Sequence, residues 1–266
     1  LEVTNLWFWY QENTPVLQGV DLSVGHGQFV ALVGANGSGK TTLVKHFNGL
    51  LLPTRGLMEV DGQSTRKQSI FSIGRKVGYV FQNPDHQIFS ETVYDEVAFS
   101  LRLRKLPEGE VRQRIAEALE AVGLTGCEQE DPFSMTKSGR QRVAVASVLA
   151  ARPEVLILDE PTTGLDYAEQ VSVMNLARKL HERGSTIIFI THHMWVVAEY
   201  AHRVYVIKDG RVFLHGTTRE VFSREAELGQ AFLRPPHPVS FSNLLGKTLL
   251  TVDELLSCTR GKDRHG

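Results

Sequence analysis

The sequence predicts an α/β protein with a mostly parallel central sheet, an antiparallel β subdomain at its N-terminal end and a helical insert. Three observations support this fold class. Residues 1–60 contain short strand patterns joined by turns, and residues from about 84 to 152 show helical periodicity with almost no strand pattern. Apolar runs at 155–158 and 186–190 then alternate with helical segments. Such alternation implies parallel strands covered by helices on both faces of the sheet.

The N-terminal part is expected to begin with strands at residues 1–8, 19–24 and 28–33. Apolar side chains alternate in the second of these, which is typical of a strand with one buried face. The third is a short apolar run of the kind that a buried strand shows. A glycine-rich loop follows at 34–39, and a helix is predicted at 40–50, where a glycine and then a proline close it.

The helical insert is expected to contain helices at residues 92–103, 108–122 and 139–151. The second has the clearest pattern, because apolar side chains recur every three or four residues along it. A proline lies just ahead of this helix and Gly123 is expected to end it.

Strands and helices alternate after the insert, with helices predicted at residues 167–180 and from 194 to about 201. Two short strand patterns, at 204–207 and 211–215, flank an Asp-Gly pair. Because Asp-Gly is a common two-residue hairpin turn, these strands are expected to form a hairpin.

The chain is long enough for one large domain with a substantial core, or for two small domains. It has 266 residues, of which 42% are hydrophobic and 22% are charged, as in ordinary folded proteins. We assign residues 1–225 to a main domain, with the insert at about 84–152, and residues 226–266 to a small C-terminal appended element. The formal net charge of -1 argues against a global basic field for nucleic acid.

Two distant cysteines, Cys127 and Cys258, cannot form a multi-bridge disulfide framework, so a reducing cytosol is the expected setting. No apolar run is long enough to span a membrane, and no signal peptide opens the sequence. Because the sequence begins at Leu1 rather than Met, both a single module and half of a tandem protein stay open.

Residues 34–41 match the phosphate-loop pattern GxxxxGK[ST] in full, between a predicted strand and a predicted helix. Glycines allow consecutive backbone N–H groups to turn around a phosphate, and the helix N-terminus adds positive potential. Lys40 is expected to reach the β- and γ-phosphates, and the Thr41 hydroxyl to bind Mg²⁺. The predicted nucleotide-binding residues of this segment are Gly34, Asn36, Gly37, Ser38, Gly39, Lys40, Thr41 and Thr42.

Two acids, Asp159 and Glu160, end the apolar strand pattern at 155–158. A carboxylate at the end of a buried strand beside a phosphate loop can hold Mg²⁺ directly or through water. The next carboxylate can orient an attacking water or take its proton. Asp-Glu alone also fits a solvated strand end, so this interpretation depends on the phosphate loop upstream.

Together these motifs resemble the ATPase subunit of ABC transporters, a family of P-loop NTPases, over about residues 1–225. The resemblance assigns residues 34–41 to the Walker A motif and residues 155–160 to the Walker B motif. Gln82 matches the Q-loop and His192 the switch histidine at the end of a strand.

The resemblance implies ATP and Mg²⁺ as ligands, with Glu160, His192 and Gln82 as the catalytic residues. It places Mg²⁺ on Thr41, Gln82 and Asp159. Asp166 falls in the D-loop at the dimer seam, although it could also simply cap a helix. Tyr10 falls where the family stacks an aromatic ring on adenine, but it belongs to an aromatic cluster at 7–10 whose members could merely be core.

A subfamily resemblance rests on residues 80–89, on the pattern that follows at 92–99, and on the Pro-Thr-Thr-Gly-Leu-Asp run at 161–166. These segments are similar to the energy-coupling-factor importers of vitamins, cobalt and nickel. The resemblance implies that residues 81–89 line a groove for a transmembrane partner, with the apolar side chains of Ile88 and Phe89 exposed in a loop.

One segment departs from the family pattern. The family signature LSGGQ aligns with residues 135–139, where Thr136 keeps a hydroxyl but Lys137, Ser138 and Gly139 replace Gly, Gly and Gln. Side chains at the two glycine positions are expected to obstruct a γ-phosphate, unless a small shift lets Lys137 supply charge to it. The resemblance therefore predicts two ATP sites of unequal quality and a related, non-identical second ATPase subunit, with a homodimer left open.

The expected function is ATP hydrolysis that powers an energy-coupling-factor importer through closure of a nucleotide-bound dimer. The expected partners are the second ATPase, a transmembrane coupling subunit and a substrate-binding membrane subunit, with no nucleic acid. The expected location is the cytoplasmic face of the cell membrane. A soluble ABC protein acting on DNA or ribosomes, and a small-molecule P-loop kinase, are the alternatives, and the solute is not readable from this chain.

Overall fold

The computed structural model of this chain describes residues 1–260, which form two β-sheets flanked by helices. The strands are β1 (Glu2–Trp9), β2 (Pro15–Ser23), β3 (Phe29–Val33), β4 (Arg55–Val60), β5 (Gln63–Ser64), β6 (Val77–Val80), β7 (Val155–Asp159), β8 (Thr186–Ile190), β9 (Arg203–Lys208) and β10 (Arg211–Thr217). The helices are α1 (Lys40–Phe47), α2 (Ile70–Lys76), α3 (Val93–Leu103), α4 (Glu108–Val122), α5 (Lys137–Leu149), α6 (Tyr167–Glu182), α7 (Met194–Tyr200), α8 (Thr218–Phe222), α9 (Glu225–Gln230), α10 (His237–Leu244) and α11 (Val252–Arg260). Among residues 1–260, no helix combines the length and the apolar character that a membrane crossing needs.

The smaller sheet is antiparallel, with strand order β2-β1-β4-β5. In its centre Val3 of β1 lies opposite Leu22 on one side and Met58 on the other, and all three side chains are buried. The predicted N-terminal antiparallel subdomain is therefore confirmed. The sequence did not reveal β4 and β5, because β4 mixes polar with apolar residues and β5 has only two residues.

The larger sheet has strand order β10-β9-β3-β8-β7-β6. All neighbours from β9 to β6 are parallel, and β10 pairs antiparallel with β9 in the predicted hairpin. Every residue of β3 and β8 is buried, as expected for strands covered on both faces. Because parallel strands end at the same edge of a sheet, the segments that follow β3, β6, β7 and β8 meet there.

The helical insert consists of α3, α4 and α5, and residues 84–152 contain no strand, as predicted. The side chains of Val97, Leu101, Ile115 and Leu119 are fully or almost fully buried within the hydrophobic core that the insert shares with the parallel sheet. Gly123 ends α4 in the left-handed region, at φ 70°, a conformation that glycine adopts without a steric penalty.

One helix boundary differs from its prediction in a way that matters for the site. Helix α5 begins at Lys137, two residues before the predicted start, because Thr136 caps it. The Thr136 Oγ1 accepts a hydrogen bond from the backbone N–H of Gly139 at 3.1 Å. The divergent segment at 135–139 is therefore a helix N-terminus rather than a loop ahead of a helix.

The C-terminal residues described by the structure form α9, α10 and α11. Leu228 and Val239 are fully buried in the same hydrophobic core as the parallel sheet. The Asn243 side-chain amide donates hydrogen bonds to the Phe222 carbonyl at 2.9 Å and to Glu225 at 2.6 Å. Residue 225, the predicted end of the main domain, is the first residue of α9, and the buried side chains beyond it join the core of the main domain, so the division at this residue stays a prediction.

Candidate nucleotide-binding site

The phosphate loop connects β3 to α1 and has a backbone that only glycine fits at two positions. Gly34 has φ 149°, and a Cβ atom there would lie 2.1 Å from the Ile207 carbonyl oxygen. Gly39 has φ 104°, and a Cβ atom there would lie 2.9 Å from Leu17. Close packing against β9 and β2 therefore fixes this loop at the sheet edge, ahead of the N-terminus of α1.

Lys40 lies at the base of a cleft of about 600 Å³ and is 7% exposed. Its Nζ donates to the carbonyl oxygens of Gly34 and Ala35, both at 2.9 Å. Burial lowers the pKa of Lys40, while Glu160 and Asp159 partly oppose that shift. The residues that line the cleft are Val16, Asn36, Gly37, Gly39, Lys40, Thr41, Thr42, Gln82, Glu160 and His192.

Asp159 is the last residue of β7 and is 2% exposed. Its two carboxylate oxygens have different partners. Thr41 Oγ1 donates to Oδ1 at 3.4 Å, and the Tyr79 hydroxyl donates to Oδ2 at 2.6 Å. Burial raises the pKa of Asp159, and these hydrogen bonds act in the opposite direction.

The oxygen donors gathered here suit Mg²⁺. The Thr41 hydroxyl, the Asp159 carboxylate and the Gln82 amide are hard ligands of the kind that Mg²⁺ prefers together with phosphates and waters. Residues 1–260 contain no cluster of three or more His, Cys, Asp or Glu side chains placed for a metal ion. Thr41, Asp159 and Gln82 are therefore the residues that could hold Mg²⁺, with phosphate oxygens and waters completing its coordination.

Glu160 is the meeting point of three elements. Gln82, after β6, donates from Nε2 to Glu160 Oε2 at 2.9 Å, and the Thr163 hydroxyl donates to the same oxygen at 3.0 Å. His192, after β8, has Nδ1 at 3.7 Å from that oxygen. The backbone of Glu160 has φ 47°, in the left-handed region that non-glycine residues rarely adopt. The three residues expected to be catalytic thus lie together and line the same cleft as Lys40.

Tyr10 lies beside the mouth of the cleft. It is 60% exposed, and its hydroxyl is 3.4 Å from Thr42 Oγ1. The ring packs edge-on against Phe8, with centroids 4.8 Å apart, whereas Phe8 itself is buried. Of the aromatic cluster at 7–10, Tyr10 therefore offers an exposed ring next to the phosphate loop.

The signature and D-loop residues do not join this cleft in a single chain, since none of them is among its lining residues. Asp166 caps α6 in a capping box with Glu169, so its proposed helix-capping role is present in the structure. Lys137 is exposed at the first turn of α5, and its Nζ lies 2.7 Å from where a Cβ atom on Gly164 would be. Ser138 is buried at 7% exposure.

The expectation that both Ile88 and Phe89 are exposed is wrong for Ile88. Ile88 is 4% exposed and belongs to the core between the insert and the sheet, whereas Phe89 is 60% exposed. Phe89 instead stacks edge-on with the exposed Phe99 of α3, at 4.8 Å between centroids. Both rings line a separate cavity of about 260 Å³, which Gly78, Arg104 and Val148 also line.

Several contacts that position the site were not apparent from the sequence. Arg140 of α5 pairs with Asp85 at 2.7 Å, and its guanidinium donates to the Met135 carbonyl at 2.6 Å. Gln87 donates to the Ala144 carbonyl of α5 at 2.8 Å. These contacts join the segment after Gln82 to the helix that begins at the divergent signature. The polar residues at 85 and 87 were the available signal, but their partners lie far along the chain.

Comparison with known proteins agrees with this geometry. The family model described as ABC transporter matches residues 17–163, and one described as an AAA domain, putative AbiEii toxin, type IV TA system matches residues 138–198. A putative ABC transporter ATP-binding protein of Caldanaerobacter subterraneus subsp. tengcongensis is 55% identical over 98% of this chain. The chain spans 46% of the length of that relative, about half.

The energy-coupling factor transporter ATP-binding protein EcfA of Methanocaldococcus jannaschii is 43% identical over 93% of this chain and 89% of its own length. The structure of CbiO1 from Clostridium perfringens, described as part of the ABC transporter complex CbiONQ, has a TM-score of 0.78 and 37% identity over 86% of this chain and 92% of that one. A dimeric ATP-binding cassette bound to ADP and Pi has a TM-score of 0.75 and 28% identity over 82% of this chain and 98% of that one. The phosphate loop, the acidic strand end and these similarities together show that the chain belongs to the ABC transporter family, as an ATP-hydrolysing, ATP-binding domain of the type found in energy-coupling-factor transporters.

Proposed function

We propose that this chain powers an energy-coupling-factor importer for vitamins or transition-metal ions by hydrolysing ATP at the cleft above Lys40. The observation that supports this most is that Gln82 and His192, each after a different strand, both approach the same carboxylate oxygen of Glu160, which follows a third strand. The names of the EcfA relatives support the transport class.

The proposed chemistry assigns each group a separate task. Lys40 and the loop N–H groups bind the β- and γ-phosphates, and Tyr10 stacks on the adenine. Glu160 takes a proton from the attacking water, which Gln82 and His192 orient within hydrogen-bond reach of the γ-phosphate. Thr41, Asp159 and Gln82 would hold Mg²⁺, which would supply positive charge against the charge that develops on the phosphate oxygens.

We further propose that two ATPase chains close head to tail, because residues 136–139 and Asp166 lie outside the cleft of their own chain. Each would then face the phosphates held by the other chain. Lys137 and the buried Ser138 occupy positions where the family has glycines, so the site that faces them is expected to turn over slowly. The productive partner is therefore a related, non-identical ATPase that brings an intact signature to Lys40.

The cavity lined by Phe89 and Phe99, called the groove below, is the proposed contact for the transmembrane coupling subunit. Two exposed aromatic rings in edge-to-face contact form an apolar surface that a partner helix can bury. The solute would be bound by a separate membrane subunit, so the chain acts at the cytoplasmic face of the membrane without entering it.

The hydrolysis role is tested with Glu160→Gln in the assembled transporter. We expect ATP binding to persist and turnover to fall at least 100-fold, because the phosphate loop stays intact while the proton acceptor is lost. Lys40→Ala should also lose nucleotide affinity. The matched control is Glu154→Gln, just before β7 at the opposite end of the same strand. Turnover by Glu160→Gln equal to that of the control would refute the assignment.

The groove is tested with Phe89→Asp, scored by co-sedimentation of the ATPase with membranes that contain the other subunits. We expect detachment with unchanged ATP binding. Phe213→Asp, on the far strand β10, is the control for an equivalent charge at an exposed aromatic position. Retained membrane association of Phe89→Asp would contradict the proposed contact. Full ATPase activity with no membrane partner would favour a soluble ABC ATPase instead.

The asymmetry is tested by measuring the mass and activity of the purified chain with ATP. We expect little turnover from this chain alone and full turnover only with a second, related ATPase. A symmetric homodimer with two trapped nucleotides and robust turnover would overturn the non-identical partner.

A further inference from the structure

The hydroxyl of Tyr79 has a short contact that none of the family motifs requires. Tyr79 lies on β6, three residues before Gln82, and its backbone is paired with Ile157 of the neighbouring parallel strand β7. Two residues further along β7, Asp159 turns its Oδ2 toward the phenol, at 2.6 Å. An O–H···O⁻ contact of this length is a charge-assisted hydrogen bond, among the stronger kinds in proteins.

The direction of this hydrogen bond is fixed by its surroundings. The Tyr79 hydroxyl donates to Oδ2, because an ionised carboxylate has no proton to give and only accepts. The ring is half-buried and packs edge-on against Phe81, with centroids 4.9 Å apart. This packing leaves the hydroxyl little freedom to leave the carboxylate.

The terminal torsion of an aspartate is broad, so a carboxylate without a second partner can rotate about its Cβ–Cγ bond. In this structure Oδ2 is held by Tyr79, and the other oxygen, Oδ1, is the one that faces Thr41 Oγ1 at 3.4 Å. Oδ1 and the Thr41 hydroxyl are thus presented side by side at the edge of the cleft. Removing a residue that orients a metal ligand through a hydrogen bond commonly lowers metal affinity or activity by about 10- to 100-fold.

We propose that Tyr79 is a positioning residue that holds Oδ2 of Asp159 and thereby directs Oδ1, beside Thr41, toward the Mg²⁺ of bound MgATP. The inference rests on the proposed function, because it concerns the metal that accompanies the nucleotide in the cleft. Tyr79 is not among the residues that line the cleft, so its influence on the metal would pass through Asp159. Because β6 also leads into Gln82, the same hydrogen bond ties the two strand ends that supply proposed metal ligands.

The test is Tyr79→Phe in the full chain, which removes the hydroxyl and keeps the ring. Affinity for Mn²⁺ is measured by electron paramagnetic resonance with saturating ATP, and nucleotide affinity is measured separately in EDTA. We expect a 10- to 100-fold weaker Mn²⁺ affinity and metal-free nucleotide affinity within twofold of the wild type. In the assembled transporter, raised Mg²⁺ concentration should restore the turnover rate.

The matched control is Tyr205→Phe, in the same sheet, where the hydroxyl donates to the Ser23 carbonyl at 2.6 Å, away from the cleft. This control should leave Mn²⁺ affinity unchanged while losing an equally short hydrogen bond. Unchanged Mn²⁺ affinity in Tyr79→Phe would overturn the inference. So would an equal loss of Mn²⁺ affinity in Tyr205→Phe, or an equal loss of metal-free nucleotide affinity in Tyr79→Phe. Failure of the proposed function would give a different result from failure of this inference. In that case the wild-type protein would not bind ATP, or its ATP affinity would be the same as that of Lys40→Ala.

Discussion

His46 gives the fold a predictable weakness in mild acid. It lies on α1, the helix that follows the phosphate loop, and is completely buried. Its Nδ1 is 2.8 Å from the Thr42 carbonyl, and the ring packs edge-on against Phe8 at 4.8 Å. Burial lowers the pKa of His46 from 6.5 to about 4, and the carbonyls of Thr42 and Leu52 offset only part of that shift. A charged imidazole is therefore disfavoured in the folded protein.

The sign follows from proton binding. Between about pH 6.5 and 4 the unfolded chain binds a proton at this histidine and the folded chain does not. The contribution of His46 to the free energy of unfolding is therefore fully present above pH 6.5 and is lost as the pH falls through this window. At 1.36 kcal/mol for each pH unit, the whole window corresponds to about 3 kcal/mol, of which about 2 kcal/mol falls between pH 7 and 5.

The assay is urea unfolding of the wild type and His46→Gln, without nucleotide, at several pH values between 7 and 5. Glutamine can donate to the Thr42 carbonyl but does not titrate, so we expect the variant to lose about 2 kcal/mol less than the wild type over this range. Parallel pH dependences for the two proteins would refute this reasoning. So would an imidazole resonance of His46 that titrates near pH 6.5.

Three further predictions concern packing, capping and an ion pair. Gly78→Ala should destabilise the protein by about 1–3 kcal/mol, because its Cβ would lie 2.4 Å from a valine methyl of α5. Gly74→Ala, which meets nothing within 4 Å, is its control in urea unfolding, and equal stabilities would contradict the prediction. Thr136→Ala should cost about 1 kcal/mol of unfolding free energy by removing the cap of α5, whereas Thr136→Ser should cost far less. A double-mutant cycle on Asp85→Asn and Arg140→Gln should give a coupling energy of about 0.5–1 kcal/mol in unfolding, and simple additivity would show that the 2.7 Å pair contributes nothing.

The sequence predicts those parts of the site whose residues are consecutive in the chain. The phosphate loop is recognisable because the glycines, Lys40 and Thr41 act through the local backbone between one strand and one helix. Asp159 and Glu160 follow an apolar run long enough to identify a buried strand. Because parallel strands end at the same edge of a sheet, these two segments are expected to lie close together whatever the order of the strands between them.

The parts that the sequence does not predict depend on register and on distant packing. Strand β6 has four residues, one of them Gly78, so it is too short to show periodicity. The contact of Tyr79 with Asp159 depends on how β6 lies against β7, which neither strand specifies alone. Ile88 is buried because the insert packs over it, and a loop residue shows no periodic pattern that would reveal this burial.

The left-handed backbone of Glu160 sets the stability of the fold against the catalytic role proposed for this residue. A non-glycine residue held at φ 47° costs of the order of 1 kcal/mol or more relative to relaxed geometry. Glycine would occupy the same conformation without that penalty, so a selection for heat resistance alone would favour replacing the carboxylate. Loss of this glutamate in laboratory evolution for thermal tolerance would follow from the torsion angle, whereas its persistence under selection for activity would follow from the proposed role of its carboxylate.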